Sequence, residues 1–340
     1  MKACVLPAPQ APLEIIDVPV PRPGPGQILV RIEACGVCHS DVFLAASPKL
    51  PRTPLILGHE AVGRVSELGQ GVTRYKAGDR VGIAFLHHAC GDCAFCKSGR
   101  ENYCLSQQQT GYHVDGALAE YCVADERFVA RVPEAMSAIQ AAPLCCAGLT
   151  AYKAVRTADL AAGEWIALFG AGGLGHLAIQ LAKQAGLRVA VIDVGADKLE
   201  MARELGADLL INGVTEDPRK VLAAHVPDWN TTGGVAGAIT LTGSLAAIEQ
   251  AFPCLRPNGI LVLVGLCTKR YDLQVLRMVM QGLRISGILV GTPRDLQEIV
   301  DLAATGTPHV HAEACGLADV PGVMERMRQG QIAGRMVVQF

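Results

Sequence analysis

A strand, a glycine-rich turn and a helix follow one another between residues 166 and 184, and this order most constrains the fold. The apolar run Ile166-Ala167-Leu168-Phe169 is typical of a buried strand, Gly170 to Gly175 fits G-x-G-x-x-G, and His176 to Gln184 has a helical pattern. Glycines at these positions permit a tight turn, close approach to a pyrophosphate, and close packing of helix on strand. The segment therefore predicts the start of a parallel, doubly wound sheet.

Apolar strands and amphipathic helices continue to alternate after this turn. A second strand, Val189 to Ile192, precedes a helix from Asp197 to Glu204. Further strand patterns occur at Leu209-Leu210-Ile211, Ala238-Ile239-Thr240-Leu241, Leu261-Val262-Leu263-Val264 and Leu283-Arg284-Ile285. Such alternation is typical of the α/β class with a Rossmann sheet, and it predicts a dinucleotide-binding domain over residues 149–289.

An acidic residue at the end of the second strand indicates which nucleotide binds. Asp193 follows the glycine turn by about 20 residues, where a carboxylate binds the ribose hydroxyls of a dinucleotide. The same carboxylate would repel a 2′-phosphate, and Val194-Gly195-Ala196 offer no arginine to receive one. We therefore expect NAD rather than NADP, held by Gly170, Gly172, Gly173, Gly175 and Asp193.

The remaining residues differ in composition and in the pattern of their strands. Residues 1–148 are rich in glycine and proline, with short strand-like runs such as Gln27 to Glu33 and Glu60 to Val65. Turn signals between these runs predict a small antiparallel, barrel-like domain. The tail, 290–340, ends in an apolar run from Arg335 to Phe340 that is expected to return to this domain. The adjacent loop histidines His87 and His88 are interpreted as polar surface, with a role as metal ligands as the alternative.

Four cysteines in one loop have the spacing of a metal site. Cys90, Cys93, Cys96 and Cys104 form C-x2-C-x2-C-x7-C, which lets one loop surround a zinc ion with four thiolates. Free thiols and an iron–sulfur cluster are the alternatives, although no proline follows the last cysteine as in one common cluster motif. A closed site of this kind stabilises a loop and leaves no open position for chemistry.

Charge and hydropathy exclude several classes of protein. The 340 residues carry a net charge of −2 with both signs interspersed, so no electrostatic signature of nucleic-acid binding is present. No segment has the apolar length of a membrane helix, and the first residues lack the pattern of a signal peptide. Clustered cysteines without such a signal favour a metal-binding, cytoplasmic protein. We expect no nucleic-acid or membrane partner.

Five motifs of this chain resemble those of the zinc-dependent alcohol dehydrogenases of the medium-chain dehydrogenase/reductase superfamily, and they occur in the family's order. The resemblance is strongest to the shorter bacterial and yeast-like members. Besides the cysteine loop and the glycine turn, the motifs are Cys35-Gly36-Val37-Cys38-His39-Ser40-Asp41, Gly58-His59-Glu60-Ala61-Val62-Gly63 and Leu144-Cys145-Cys146-Ala147-Gly148-Leu149-Thr150-Ala151-Tyr152. The closing Gly334-Arg335 also matches. The resemblance implies a GroES-like catalytic domain over 1–148 and 290–340, and interconversion of primary alcohols with aldehydes by hydride transfer to NAD.

The resemblance also implies a second zinc, at which the chemistry takes place. Its ligands would be Cys38, His59 and Cys146, with Cys146 preferred over its neighbour because the family's ligand directly precedes A-G-x-T-x-Y. Glu60 would approach the metal during ligand exchange, or else be a structural carboxylate. Asp41 would orient the ligand imidazole. Two zincs per chain are therefore expected, one catalytic and one structural.

Further roles follow from the same resemblance. Ser40 would pass on the alcohol proton, although a serine there can also be a simple turn residue. The predicted cofactor contacts outside the glycine turn are Thr150 and Leu174 at the nicotinamide, His39 and Arg335 at the pyrophosphate, and Lys198 at the adenosine ribose. Lys198 also has the simpler interpretation of a solvated helix lysine.

Two departures from the family pattern bear on proton transfer and substrate choice. Many relatives have a histidine that passes the proton to solvent where this chain has Phe43. Phe85 replaces a tryptophan common in yeast-like members, and Ser40 is smaller than the threonine common there, so the pocket is expected to accept longer, aromatic or secondary alcohols.

Two alternative functions are a polyol or sugar-alcohol dehydrogenase and a non-catalytic nucleotide-binding zinc protein. By analogy with short family members we expect a homotetramer.

Overall fold

The computed structural model describes residues 1–227 and 229–340. The chain divides into two compact units. The first unit comprises Met1–Leu149 and Val290–Phe340, and the second unit comprises Thr150–Leu289.

Eighteen strands are present in the described residues. In chain order they are β1 Lys2–Leu6, β2 Glu14–Asp17, β3 Gln27–Val37, β4 Leu55–Ile56, β5 Ala61–Leu68, β6 Arg80–Ile83, β7 Leu86–His88, β8 Gln108–Gln109, β9 Tyr121–Asp125, β10 Val129–Arg131, β11 Trp165–Phe169, β12 Arg188–Asp193, β13 Leu209–Asn212, β14 Val235–Thr240, β15 Leu255–Leu263, β16 Arg284–Gly287, β17 Ala312–Cys315 and β18 Arg335–Gln339.

The α-helices of the described residues number twelve. They are α1 His39–Ala45, α2 Ala94–Lys97, α3 Ala138–Ala141, α4 Ala147–Ala158, α5 Gly175–Gln184, α6 Ala196–Glu204, α7 Pro218–His225, α8 Trp229–Thr232, α9 Leu245–Ala251, α10 Val275–Gln281, α11 Pro293–Ala304 and α12 Val320–Arg328. Short 3-10 turns lie at Glu101–Tyr103, Ala142–Cys145, Phe252–Cys254 and Leu317–Asp319.

The sheet of the second unit is parallel throughout. Its strand order is β13-β12-β11-β14-β15-β16, with β11 and β14 side by side at the centre. This is the order of a Rossmann sheet, whose ligand crevice lies at the carboxyl ends of the strands where the order reverses. The glycine turn directly follows β11 and is therefore at that crevice. The predicted doubly wound sheet is confirmed.

Apolar sequence explains why these strands form the centre of the second unit. Every residue of β14 is buried, as are the last four residues of β11. Strands that are covered on both faces have continuous apolar runs instead of an alternating pattern. Ala167, Phe169, Ala190, Ile192 and Ala238 contribute to one buried cluster that extends onto the neighbouring helices.

The main sheet of the first unit has the order β10-β6-β5-β3-β18-β17, with β9 also paired to β3. Its pairings are antiparallel except for β17 with β18, which run parallel. The expected return of the C-terminal strand is confirmed, because β18 pairs with β3. Smaller sheets join β2-β1-β4 and β7-β8.

Strand β3 is longer than its sequence pattern predicts, and this extension positions the candidate site. The pattern indicates a strand ending near Glu33, whereas β3 continues to Val37 and places Cys38 at the N-cap of α1. Pairing with β18 and β5 stabilises the additional residues. Among the described residues, no helix is both long and apolar enough to span a bilayer.

Candidate metal centres and nucleotide site

Four potential ligand side chains converge in the interior of the first unit. The donor atoms of Cys38, His59, Glu60 and Cys146 all lie within 4.8 Å of one another, and all four residues are buried. Cys38 follows β3, His59 and Glu60 precede β5, and Cys146 ends the 3-10 turn Ala142–Cys145. Three separate parts of the chain therefore supply this cluster, which we call the buried donor cluster.

Asp41 holds two backbone segments of the buried donor cluster in place. Its Oδ2 accepts a hydrogen bond from Cys38 N at 2.9 Å, and its Oδ1 accepts one from Gly58 N at 3.1 Å. Oδ1 is also 3.5 Å from Nδ1 of His59. A carboxylate behind a ligating imidazole fixes ring orientation and raises its basicity. Asp41 thus occupies the place expected for the orienting residue.

Polar atoms without partners show that the buried donor cluster fits a metal ion. Within the described residues, neither ring nitrogen of His59 meets hydrogen-bond geometry with a partner, and Oε2 of Glu60 is also unpaired. Buried polar atoms are normally satisfied, so such a concentration of exceptions requires an explanation. Two cysteines and a histidine are a known ligand set of catalytic zinc, with one position left for another ligand. The donor chemistry fits zinc.

The electrostatics of the buried donor cluster also favour a cation. A hydrogen bond from the Cys146 thiol lowers the pKa of Cys38 well below its usual range, despite the opposing effect of burial. Burial lowers the pKa of His59, but Asp41 and the Cys38 thiolate outweigh it and raise the value overall. Negative charge on Cys38 and Asp41 thus attracts protons, and a metal cation would satisfy the same charge.

The neighbouring cysteine is directed elsewhere. Cys145 Sγ lies 3.5 Å from the carbonyl oxygen of Ala61 and 3.8 Å from that of Ala141. Burial raises the pKa of this thiol far above its usual value. Cys145 therefore packs as a small neutral side chain, whereas Cys146 joins the buried donor cluster.

Ser40 and Phe85 line the surroundings of this cluster. The Ser40 hydroxyl is 3.6 Å from Cys38 Sγ, and Ser40 is half-buried. The Phe85 ring meets the His59 ring edge-on, with centroids 5.1 Å apart and an interplanar angle of 72°. Both residues predicted for the substrate pocket thus contact a metal-ligand candidate.

Arg335 lies against the same cluster. Its guanidinium Nη2 donates to Glu60 Oε1 at 2.5 Å and to the carbonyl oxygen of Val37 at 3.0 Å. Both members of the ion pair are buried. Burial raises the pKa of Glu60 to about 8, opposed by the positive charge of Arg335.

The four-cysteine loop forms a second candidate metal centre in the first unit. Sγ atoms of Cys93 and Cys96 are 3.5 Å apart, as are those of Cys104 and Cys90. All four donor atoms lie within 4.8 Å of one another. Beneath them is a small apolar cluster of Leu86, Ala89, Phe128 and two of these same cysteines, Cys96 and Cys104. A loop with so little apolar core fits a stabilising tetrahedral zinc.

In the second unit, the glycine turn presents backbone amides at the start of α5. Within the described residues, the amide hydrogens of Gly172, Gly173 and Leu174 have no hydrogen-bond acceptor. A Cβ added to Gly175 would lie 2.1 Å from the carbonyl oxygen of Gly170, whereas one added to Gly172 would meet nothing within 4 Å. Glycine 175 thus permits close packing, and the surface at Gly172 is open for an anion.

Asp193 at the end of β12 is tied to this turn. Its Oδ2 accepts from Ala171 N at 2.7 Å, and its Oδ1 accepts from Val194 N at 2.7 Å and Gly195 N at 2.9 Å. The bonds fix the carboxylate at the edge of the crevice. The aliphatic part of Lys198 is close to Gly195, since a Cβ added to that glycine would be 3.3 Å from Lys198 Cδ.

The other predicted cofactor residues are less enclosed or belong to other elements. His39 is exposed on α1, and Leu174 is half-buried at the N-cap of α5. Thr150 is buried on α4.

Sequence reasoning missed or misjudged three residues. The interpretation of His87 as polar surface is wrong, because the residue is buried. Thr242 follows β14, and its Cβ is 3.6 Å from the point where a Cβ added to Gly170 would lie, so Thr242 borders the crevice. His176 contacts the glycine turn directly through Nδ1. Thr242 could have been found from its Thr-Gly turn after an apolar strand, but the two histidines carry no local signal.

Comparison with known proteins agrees with this architecture. The family model for the alcohol dehydrogenase GroES-like domain matches residues 24–134, and that for zinc-binding dehydrogenases matches residues 173–305. An alcohol dehydrogenase of Geobacillus stearothermophilus is 44% identical over 100% of this chain and 99% of its own length.

Solved structures show the same relationship. An alcohol dehydrogenase from the archaeon Aeropyrum pernix superposes with a TM-score of 0.92 at 34% identity, covering 100% of both chains. An acetophenone reductase from Geotrichum candidum in complex with NAD gives 0.89 at 29% identity, covering 100% of this chain and 97% of its own.

One assignment accounts for the buried donor cluster, the four-cysteine loop, the Rossmann sheet and these full-length similarities. The chain is an oxidoreductase and belongs to the zinc-dependent alcohol dehydrogenases of the medium-chain dehydrogenase/reductase superfamily.

Proposed function

We propose that the protein interconverts alcohols with aldehydes or ketones, using NAD and two zinc ions per chain. The observation that carries this proposal is the buried donor cluster, in which Cys38, His59 and Cys146 converge with buried atoms that have no other partner. A protein that had lost its chemistry would not need an open metal site in its interior. The non-catalytic alternative is therefore disfavoured.

The proposed zinc at this cluster would be held by Cys38, His59 and Cys146, with Glu60 as an exchangeable fourth ligand. When bound, zinc supplies a Lewis acid that favours deprotonation of an alcohol hydroxyl, and NAD supplies the hydride acceptor. Asp41 holds the ligand segments through Cys38 N and Gly58 N. The Ser40 hydroxyl would hold and pass on the substrate proton, which its distance of 3.6 Å from Cys38 Sγ supports.

The second zinc is proposed to be structural and to be bound by Cys90, Cys93, Cys96 and Cys104. Support comes from the mutual approach of all four thiols within 4.8 Å and from the small apolar cluster beneath them. Removal of the metal should unfold this loop, because little besides the metal stabilises its folded structure.

A preference for NAD over NADP is supported by Asp193 and its surroundings. Its carboxylate is anchored by three backbone amides, so it cannot easily turn away from a 2′-phosphate. The next residue, Val194, is exposed and uncharged. We propose that Gly170, Gly172, Gly173, Leu174 and Gly175 receive the cofactor with Asp193.

Four further cofactor contacts remain proposals carried by the family resemblance. They are Thr150, His39, Lys198 and Arg335. For Arg335 there is one supporting observation: its Nε is buried and has no hydrogen-bond partner within the described residues, so one donor is left for an anion.

The proposed substrates are primary alcohols, including longer and aromatic ones, and also secondary alcohols. The rings of Phe85 and His59 meet in a T-shaped arrangement, and Phe85 leaves more room than a tryptophan would. Ser40 is likewise smaller than threonine. The acetophenone reductase among the structural neighbours acts, by its name, on an aromatic ketone. A small pocket specific for ethanol would contradict this proposal.

We further propose a cytoplasmic homo-oligomer, with a tetramer favoured. Helix α10 has no buried residue, and Val275, Leu276, Val279 and Met280 are each more than 60% exposed. Neighbouring strand β16 is at the edge of its sheet, with β15 on one side. An apolar face beside an open sheet edge is suited to contact with a second copy. Thirteen cysteines without a disulfide fit a reducing compartment.

One set of measurements tests these proposals. Initial rates should be measured with ethanol, hexanol, benzyl alcohol, a secondary alcohol and sorbitol, each with NAD and with NADP. We expect hexanol and benzyl alcohol to exceed ethanol in kcat/KM, with NAD preferred. Highest activity on sorbitol would support the polyol alternative. Two zincs per chain by elemental analysis are expected, whereas one zinc without activity would support the non-catalytic alternative.

A further inference from the structure

His176 has a contact with the glycine turn that none of the predicted roles uses. It is fully buried in the first turn of α5. Its Nδ1 is 3.1 Å from the carbonyl oxygen of Gly172, and its backbone amide is also 3.1 Å from that oxygen. Because a carbonyl oxygen only accepts hydrogen bonds, Nδ1 must carry the hydrogen.

The two bonds from His176 to the Gly172 carbonyl oxygen together fix the direction of the next amide. In a planar trans peptide, the carbonyl of Gly172 and the amide hydrogen of Gly173 point in opposite directions. With the carbonyl directed toward His176, the Gly173 amide is directed away from the helix interior. The described residues contain no acceptor for this amide or for the next one, at Leu174.

Other contacts hold the beginning of the turn, and the Gly172 carbonyl oxygen also accepts the backbone bond from His176 N at 3.1 Å. Gly170 N donates to the carbonyl oxygen of Ile192 at 2.8 Å, and Ala171 N donates to Asp193 Oδ2 at 2.7 Å. Glycine at position 172 adds no steric restraint, since a Cβ there would meet nothing within 4 Å. The side chain of His176 is therefore a second restraint on the orientation of the 172–173 peptide, added to the backbone bond of the helix.

We infer that His176 is a positioning residue, which holds the Gly172–Gly173 peptide so that its amide is preorganised for the cofactor pyrophosphate. The inference rests on the proposed nucleotide site. Binding to a preorganised amide avoids the cost of reorienting the peptide, so loss of the restraint should weaken ligands that carry the pyrophosphate. Ligands that lack phosphate should be little affected.

The test compares three variants in the zinc-loaded protein. His176→Leu removes the donor and keeps an apolar side chain in the buried site. His176→Asn retains an N–H donor close to the position of Nδ1. His225→Leu is the matched control, because the Nδ1 of His225 bonds to a carbonyl four residues earlier at 2.8 Å in the same manner, but at an exposed position of α7.

Binding of NADH and ADP-ribose should be measured by calorimetry, and adenosine by competitive inhibition against NAD. For His176→Leu we expect NADH and ADP-ribose to bind about five- to tenfold more weakly, with adenosine changed less than about twofold. KM for NAD should rise while kcat changes little. His176→Asn and His225→Leu should stay within about threefold of the unmodified protein.

Two outcomes would overturn the inference. One is unchanged ADP-ribose affinity in His176→Leu, and the other is an equal loss of adenosine and ADP-ribose, which indicates general damage to the second unit. If His176→Leu does not fold, a loss of ADP-ribose affinity in folded His176→Asn as large as tenfold overturns it as well. Failure of the unmodified protein to bind NADH would instead contradict the proposed function.

Discussion

The guanidinium of Arg335 donates to Glu60 Oε1 at 2.5 Å, while the other carboxylate oxygen of Glu60 remains without a hydrogen bond within the described residues. The pair joins the last strand of the chain to the buried donor cluster. A Cβ at Gly36 would lie 2.3 Å from that second oxygen, so glycine in β3 is needed for the carboxylate to lie there. Glu60 is thus restrained on one side and available to a cation on the other.

Replacement of Arg335 by leucine should destabilise the protein by about 3–5 kcal/mol, because it leaves a buried carboxylate without its counter-charge. Urea denaturation of the zinc-loaded protein measures this loss. Arg335→Lys should lose less, and the double variant Glu60→Gln with Arg335→Leu should recover part of the stability. A loss below about 1 kcal/mol in Arg335→Leu would show that the pair has little effect on stability.

Replacement of Asp193 by alanine together with Val194→Arg should shift cofactor preference toward NADP. The change removes the charge that repels a 2′-phosphate and adds a partner for it. We expect the ratio of kcat/KM for NAD to that for NADP to fall by about tenfold or more, measured at saturating alcohol. Glu200→Ala, which removes an exposed carboxylate from α6, is the control and should leave the ratio unchanged. An equal loss with both cofactors would contradict the role assigned to Asp193.

Replacement of Phe43 by histidine should raise alcohol oxidation rates at low pH. Phe43 is 47% exposed and lies three residues after Ser40 on α1, so both side chains are on one face of the helix. A histidine there can carry the proton from Ser40 to solvent. Profiles of kcat against pH for the histidine variant and for Phe43→Leu measure the effect. Identical profiles would rule out proton release as a limiting event at this position.

Replacement of His87 by leucine should remove a source of acid instability. Burial lowers the pKa of His87 to about 4 from 6.5, although Asp125 raises it and His88 lowers it further. Below pH 6.5 the unfolded chain takes up a proton that the folded protein does not, so stability falls as the pH decreases toward 4. Above pH 6.5 His87 is neutral in both the folded and the unfolded state, so it no longer lowers the free energy of unfolding.

The leucine variant should therefore gain about 2 kcal/mol relative to the unmodified protein when the pH changes from 7.5 to 5. Urea denaturation at both pH values measures the difference, and His225→Leu, at an exposed position of α7, is the control. A constant difference between variant and unmodified protein across this range would mean that His87 titrates normally.

Local patterns predicted much of this molecule correctly because they report short-range geometry. The strand, glycine turn and helix at 166–184 predicted β11 and α5, and Asp193 lies at the end of β12 as expected. The four-cysteine loop is also local, and its thiols converge. In contrast, the extension of β3 to Val37 depends on pairing with β18, which comes from the opposite end of the chain.

By itself the sequence determined the α/β class, the parallel sheet, the glycine turn and the residue types available for two metal centres, since periodicity and short spacing are set by the backbone. The family motif favoured Cys146 over Cys145, but only the tertiary structure decided that Cys146 lies in the buried donor cluster while Cys145 contacts backbone carbonyls. It likewise decided that Arg335 pairs with Glu60, that His87 is buried, and that His176 holds Gly172. These relationships depend on how distant segments pack, and no local pattern in the chain records the direction in which a single side chain points.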